Sequence, residues 1–147
     1  MVRHTRYQGA IIDHDSMLLI RHQDHSTGRK YWVIPGGGLD AGETEKECVI
    51  REMKEETHLD VIVEQLILHE PAPPHDSYQW IKTFLCRPLN GDARPGYEPE
   101  AEASAIYSIV EVRWFDLRDE NSWDKQLFQD PLTYHQLVQL KEALGYT

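Results

Sequence analysis

Apolar residues in this chain occur in short runs separated by polar segments that are rich in turn-forming residues. A short apolar or alternating run bounded by turn residues predicts a strand. The runs that fit this description are residues 8–13, 17–21, 31–34, 61–69, 78–87 and 109–117. The segments 22–30, 70–77 and 90–102 are predicted loops. The first two strands are separated only by turn residues and therefore predict a hairpin.

Two further stretches have the signals of helices. Residues 36–59 read GGGLDAGETEKECVIREMKEETHL, a glycine turn followed by a glutamate-rich helix that opens at Glu43-Thr44. A second helix is predicted near the C-terminus, where Asp130 can cap it and Pro131 suits its first position. Its apolar stripe consists of Leu132, Leu137, Leu140 and Leu144. Strands, helix, strands and helix in this order predict an α/β protein with a mixed sheet packed between helices.

The glutamate-rich helix carries its carboxylates on one side. At about 100° per residue, Glu52, Glu55 and Glu56 fall on one arc, and Glu45 projects the same way. The apolar residues of the adjacent arc, which is suited to face a core, are Val49, Ile50 and Met53. Three carboxylates on one arc repel each other, and a hard divalent cation among them would relieve the repulsion. Taken alone, the glutamates are equally compatible with a solvated acidic face.

The whole stretch is more specific than its glutamates, because residues 37–59 resemble the signature of the Nudix hydrolases. The matching residues are Gly37, Glu43, Arg51, Glu52, Met53, Glu55, Glu56 and Leu59. His58 stands where the family has glycine, and we expect it to close the helix with a positive φ. Its side chain lies past the last of the three glutamates, so we expect it to have no role in activity. The resemblance implies the Nudix fold, an α/β/α sandwich, in a single domain covering residues 1–147.

The resemblance also implies an activity. Nudix hydrolases use magnesium or manganese to cleave a nucleoside diphosphate linked to another moiety, as in a nucleoside triphosphate, a nucleotide sugar or a dinucleoside polyphosphate. The implied ligands of Mg²⁺ or Mn²⁺ are Glu52, Glu55, Glu56 and the backbone carbonyl of Gly36 or Gly37. The implied catalytic residues are Glu52 and Glu55, and the implied structural supports are Gly37, Glu43 and Arg51. The chemistry agrees, because a charged diphosphate repels an attacking hydroxide unless cations neutralise its oxygens.

Other candidate site residues lie outside the signature. Arg21 ends the second predicted strand and would bind a substrate phosphate if the first three strands pair as neighbours, although a surface role is an equal alternative. Trp32 precedes the glycine turn and is interpreted as a packing residue in preference to a base-stacking platform. Many Nudix enzymes recruit another glutamate as a ligand or general base. The candidates for that role are Glu98, Glu100, Glu102 and Glu111.

The charge and cysteine content of the chain indicate which binding partners and which cellular compartment to expect. With 25 acidic against 15 basic residues, the net charge is −10, which repels polymeric nucleic acid and acidic membranes, so we expect a small nucleotide substrate. Cys48 and Cys86 lack metal-site spacing and fit a reduced, cytoplasmic protein. No apolar run is long enough for a signal peptide or a membrane span. A homodimer is compatible with these features.

Two alternative functions belong to the same fold. One is a catalytically silent module that binds or senses a nucleotide; the intact set of three glutamates argues against it, because an inactive site has no reason to keep repelling carboxylates. The other is the isopentenyl diphosphate isomerase branch. That branch is longer and uses a cysteine outside the signature, for which Cys86, within a predicted strand, is a poor candidate.

Overall fold

A computed structural model describes residues 4–97 and 101–146, with side chains from residues 4–97 and 104–146. The strands are β1 (Thr5–Asp13), β2 (Ser16–Asp24), β3 (Lys30–Val33), β4 (Gly36–Gly37), β5 (Asp60–Pro71), β6 (Trp80–Asn90) and β7 (Tyr107–Asp116). The helices are α1 (Glu45–Thr57), α2 (Ala101–Ile106) and α3 (Pro131–Ala143), and the 3-10 helices are Glu120–Ser122 and Lys125–Gln129. Over the described residues, no helix is long and apolar enough to cross a membrane.

The described strands form one mixed sheet. Its main order is β3-β2-β1-β6-β5, while β4 pairs with β1 and β7 pairs with β2. The ladder between β1 and β6 is parallel, and the remaining ladders are antiparallel. β1 pairs with β2 only at Ile12 and Asp13, which leaves its earlier edge to β4, where Gly36 pairs with Gln8. The glycine turn is therefore attached directly to the central strand.

Two apolar cores lie on opposite faces of this sheet. Successive residues of a strand point to opposite faces, and β1 and β2 accordingly contribute to both cores. The core under α1 includes Tyr7, Ile11, Leu18, Val49 and Met53. The core under α3 includes Ala10, Met17, Leu19, Leu137 and Leu140. The α/β/α sandwich expected from the sequence is confirmed.

Local signals place both ends of α1. The Thr44 hydroxyl accepts a hydrogen bond from the Glu47 backbone N–H, and the Glu47 carboxylate accepts one from the Thr44 N–H. This reciprocal capping box starts the helix one residue after the predicted opening. At the other end, His58 has φ 65° and the left-handed conformation, which confirms the positive φ expected of this position.

Several predictions differ from the structure in their details. All six predicted strands are present with shifted bounds, but the pairing of Gly36–Gly37, the helix α2 and both 3-10 helices were not predicted. Ile50 was expected in the core and is 42% exposed. Asp130 occupies the N-cap position of α3 without a capping hydrogen bond. Its carboxylate instead accepts hydrogen bonds from the Trp32 backbone N–H and from the Arg29 guanidinium, each at 3.0 Å.

Candidate metal-binding and active site

The glycine turn and α1 are in direct contact. The Gly36 backbone N–H donates a 2.7 Å hydrogen bond to Oε1 of Glu56. A Cβ on Gly37 would lie less than 3.0 Å from the carboxylate of Glu52, and one on Gly36 would lie less than 3.0 Å from the carbonyl of Tyr7. Glycine is required at both positions because carboxylate and main-chain atoms occupy the space that a side chain would need.

The three glutamates of the predicted arc do not form a solvated acidic face. Glu52 and Glu56 are 2% and 1% exposed, and the side chain of Glu55 is 17% exposed. Burying an ionised carboxylate is unfavourable unless other groups compensate it. Glu45, which was expected to project the same way, pairs with Lys82 at 2.8 Å and accepts from the Tyr7 hydroxyl at 3.1 Å.

Arg51 supplies much of that compensation. Its guanidinium donates to both carboxylate oxygens of Glu43, at 2.7 and 2.9 Å, and to the carbonyl of Gly38 at 3.1 Å. The same group donates to Oε1 of Glu52 at 3.0 Å and to Oε2 of Glu55 at 3.2 Å. The hydrogen bonds from Arg51 hold the pKa of the Glu43 carboxyl below its usual value. Arg51 thus joins the loop to the helix and orients two of the three glutamates.

The chemistry of these residues fits a hard divalent cation. Glu52, Glu55 and Glu56 supply only oxygen donors, as Mg²⁺ and Mn²⁺ prefer, and the absence of a side chain on Gly37 leaves their arc open to the turn. Among the described side chains, no three acidic, histidine or cysteine residues already converge as a metal-binding group. Arg51 donates to Oε1 of Glu52 and to the carboxylate of Glu55, and a carboxylate that accepts from a guanidinium still has lone pairs for a cation.

A cavity of about 470 Å³ lies beside the glycine turn, and Gly36 and Gly37 form part of its wall. Its volume is within the range of ligand-binding pockets. Charged, aromatic and amide side chains of the wall include Arg6, His22, Tyr31, Tyr78, Tyr107 and Gln136. They come from β1, β2, β3, β7, α3 and the loop before β6, and sequence reasoning identified none of them as site residues.

Among the described residues of this wall, Arg6 is the one that carries a positive charge. Its Nη2 donates to the carbonyl of Ile34 at 3.0 Å, just before the glycine turn. Burial lowers the pKa of Arg6, but the nearby charges of Glu56 and Glu52 outweigh burial and raise it. A positively charged guanidinium is therefore held between the carboxylates and the cavity. The signal that could have identified it is a basic residue at the start of the central strand.

Aromatic rings line another part of the cavity. The imidazole of His22 stacks on the Tyr107 ring with centroids 4.1 Å apart, and the Tyr31 ring meets it edge-on at 5.3 Å. Burial and the charge of Arg6 lower the pKa of His22 to about 3. The imidazole is therefore neutral at physiological pH, and Arg6 keeps the positive charge at this position.

Arg21, the predicted phosphate-binding residue, lies elsewhere. Its guanidinium donates to Glu111 at 3.2 Å and to Gln126, and it lies over the Trp32 ring at 5.2 Å. It is not among the described residues that line the cavity. β7 pairs with this end of β2 and supplies the acidic partner of Arg21, so the phosphate-binding role of Arg21 stays a prediction.

The remaining candidates occupy different places. Trp32 is fully buried in the core under α3, which confirms its packing role. Glu111 pairs with Arg21 and Arg113 on β7. Glu98, Glu100 and the side chain of Glu102 lie outside the described residues. Burial raises the pKa of Cys48 to about 12, so this thiol is a packing group and a poor nucleophile.

Comparisons with known proteins agree with the resemblance. The family model for the NUDIX domain matches residues 3–136. The chain is 33% identical over 108 residues to the NAD-capped RNA hydrolase NudC of Vibrio atlanticus, covering 74% of this chain and 35% of that protein. It is 27% identical over 111 residues to the ADP-ribose pyrophosphatase of Methanocaldococcus jannaschii, covering 74% of this chain and 60% of that protein.

Solved structures show the same fold. A NUDIX-family hydrolase from Clostridium perfringens superposes with a TM-score of 0.65 at 21% identity, covering 99% of this chain and 98% of that one. The chain spans 26% to 35% of the length of the first three curated relatives it matches. With its family signature, its sandwich fold and a domain match over residues 3–136, the chain belongs to the NUDIX domain family.

Proposed function

We propose that this protein is a divalent-metal-dependent pyrophosphohydrolase that cleaves a nucleoside diphosphate linked to another moiety. The observation that carries the proposal is the cavity beside the glycine turn. Gly36 and Gly37 form part of its wall and lie against Glu56 and Glu52 of α1, and the wall also contains Arg6 and aromatic rings. Carboxylates can bind the divalent cations that accompany a diphosphate, and a neighbouring guanidinium can bind its phosphate oxygens. Family membership and the names of the relatives support the same reaction class.

In this proposal, Glu52, Glu55 and Glu56 hold Mg²⁺ or Mn²⁺, together with the Gly36 carbonyl. A bound divalent cation neutralises the diphosphate oxygens and lowers the pKa of a bound water. Glu52 and Glu55 are the proposed catalytic carboxylates, since either can accept the proton of an attacking water. Arg51, Glu43 and Gly37 act indirectly, by fixing where these carboxylates lie.

Arg6 takes the substrate role that sequence reasoning gave to Arg21. A guanidinium can donate two parallel hydrogen bonds to a phosphate, which orients the group as well as attracting it. Its Nη2 is already held by the Ile34 carbonyl, so the group is positioned before substrate arrives. The neutral rings of His22, Tyr31 and Tyr107 suit the base or sugar that the phosphates carry.

We propose small nucleotides as substrates, and nucleoside diphosphate sugars of the ADP-ribose type first. The cavity is large enough for a ligand of drug size, and one relative is named an ADP-ribose pyrophosphatase. A net charge of −10 opposes binding of polymeric nucleic acid, although another relative is named for capped RNA. The buried thiols Cys48 and Cys86 fit the proposed cytoplasmic location.

The test is a substrate panel with Mg²⁺, with Mn²⁺ and with excess chelator. It contains ADP-ribose, nucleotide sugars, nucleoside triphosphates, dinucleoside polyphosphates and NAD-capped RNA. We expect release of a nucleoside monophosphate from a small substrate, loss of activity with chelator and recovery on adding metal. Full activity in chelator contradicts the metal mechanism, binding without turnover across the panel contradicts the activity, and a preference for capped RNA contradicts the substrate class.

The role of Arg6 is tested separately with Arg6→Gln. We expect a rise in KM of about tenfold or more, because a charge-assisted contact to a phosphate is lost. The matched control is Arg87→Gln, which removes an exposed arginine that pairs with Glu64 away from the cavity. Equal KM values for Arg6→Gln and the wild type, with both proteins folded, would show that Arg6 has no contact with substrate.

A further inference from the structure

The C-terminal end of α1 has all of its backbone carbonyls bonded. The last four carbonyls of a helix have no partner within the helix and need one from elsewhere. In α1 these are the carbonyls of Lys54, Glu55, Glu56 and Thr57. The His58 N–H donates to the first of them, at 3.1 Å. Glu55 and Glu56, two of the proposed metal ligands, belong to this final turn.

The other three carbonyls are bonded by one segment, residues 92–97, which we call the strap. The N–H groups of Arg94, Gly96 and Tyr97 donate to the carbonyls of Thr57, Glu56 and Glu55 at 3.1, 2.9 and 3.0 Å. The strap contains no helix or strand. Ala93 packs against the core under α1. A segment without regular structure is therefore bound to the helix at several points.

Gly96 allows this close approach. A Cβ at this position would lie less than 3.0 Å from the Glu55 carbonyl carbon and oxygen and from the Glu56 carbonyl carbon. These are backbone atoms, which cannot rotate away as a flexible side chain can. Any other residue at position 96 must therefore lift the strap from the helix.

His58 makes a side-chain contact to the same segment. Its Nε2–H donates to the carbonyl of Pro95 at 3.2 Å. The family glycine that His58 replaces has no side chain and cannot make this bond. The sequence alone did not predict this contact, because Pro95 lies 37 positions away along the chain.

We propose that the strap positions the metal-binding carboxylates, and that Gly96 and His58 are positioning residues for it; the proposal rests on the proposed function of Glu55 and Glu56 as metal ligands. Helix ends fray when their last carbonyls are free to turn to water. The strap bonds the carbonyls of these two glutamates themselves, so it fixes the backbone from which both carboxylates project. Residues that orient metal ligands typically change metal affinity about 10-fold to 100-fold when they are altered.

The experiment measures Mn²⁺ binding by electron paramagnetic resonance, with no substrate present. We expect Gly96→Ala to weaken Mn²⁺ binding by about 10-fold to 100-fold and to speed hydrogen exchange of the Arg94 and Tyr97 amides. His58→Gly keeps a residue suited to positive φ and removes only the Pro95 bond, so we expect about 2-fold to 10-fold weaker binding. The control is Gly145→Ala, which adds strain at φ +85° where no atom lies within 4 Å.

The outcomes separate the strap from the proposed activity. Mn²⁺ affinity that is unchanged in both folded variants, with faster amide exchange in Gly96→Ala, would show that the strap is only structural and overturns the proposal. If Gly96→Ala fails to fold, His58→Gly decides alone, and wild-type affinity in that variant overturns the proposal. If the variants bind Mn²⁺ more weakly and the wild type cleaves no nucleotide, the proposed activity is refuted while the positioning role of the strap is supported.

Discussion

Two substitutions of Glu56, to Gln and to Ala, separate its structural role from its proposed role as a metal ligand. Its Oε1 accepts the 2.7 Å hydrogen bond from the Gly36 N–H, and the residue is 1% exposed. Glu56→Gln retains a carbonyl oxygen of similar shape that can accept the same bond. Glu56→Ala removes the acceptor and leaves a buried N–H without a partner.

The magnitudes follow from these contacts. A hydrogen bond to a charged acceptor contributes about 1.5–3 kcal/mol and a neutral one about 0.5–1.5 kcal/mol, so we expect Glu56→Gln to lose about 1–2 kcal/mol of unfolding free energy. Part of that loss comes from the charge of Arg6, whose pKa Glu56 helps to raise. Glu56→Ala should lose about 1–3 kcal/mol more, the cost of an unsatisfied buried donor.

The assay combines urea denaturation with steady-state kinetics on a substrate that the panel identifies. Both variants should lose at least about 100-fold in kcat. Altering a residue that only supports a metal ligand already costs up to about 100-fold, and Glu56 is a proposed ligand itself. The control is Glu64→Gln, a partly exposed partner of Arg87, which should stay within about 0.5 kcal/mol of the wild type. Near-normal turnover of Glu56→Gln would refute the metal role, and equal stability of the two Glu56 variants would refute the importance of the Gly36 bond.

Three other predictions follow from the site. Arg51 lowers the pKa of Glu43. The ionised Glu43 therefore stabilises the fold above its unfolded pKa of about 4.5, and this stabilisation is lost as pH falls through the lower folded pKa. Between about pH 5 and about pH 3, the urea midpoint of Glu43→Gln should fall less than that of the wild type, and an equal fall in both proteins would contradict this. Glu55→Gln should lose about 100-fold or more in kcat without gaining thermal stability, because Arg51 already offsets the repulsion; a higher melting temperature would show uncompensated repulsion. Cys48, with its pKa raised to about 12 by burial, should react with iodoacetamide at pH 8 only after unfolding, and rapid labelling of the native protein would contradict its burial.

Much of the fold follows from local pattern. The alternation in β1 and β2 predicts two faces because strand side chains alternate, and both faces do enter cores. Thr44 and His58 mark the two ends of α1 through backbone requirements that involve only neighbouring residues. The spacing of Glu52, Glu55 and Glu56 places them on one arc for the same reason, since helix geometry is local.

The surroundings of those residues depend on contacts between distant parts of the chain. Pairing of β1 with β6 and β4 brings Arg6 to the cavity, whereas pairing of β2 with β7 takes Arg21 to Glu111. Neither outcome is encoded within a window of neighbouring residues.

The burial of the carboxylates and the binding of the strap have the same origin. Glu56 is buried because Gly36 packs against it, and Gly96 reaches Glu56 across 40 positions of sequence to bond its carbonyl. The sequence by itself determined which residues share a strand or helix face, because backbone geometry is repetitive and short-range. Only the tertiary structure decided which faces meet, because burial, charge compensation and the bonding of helix ends are settled by whichever distant segment packs there.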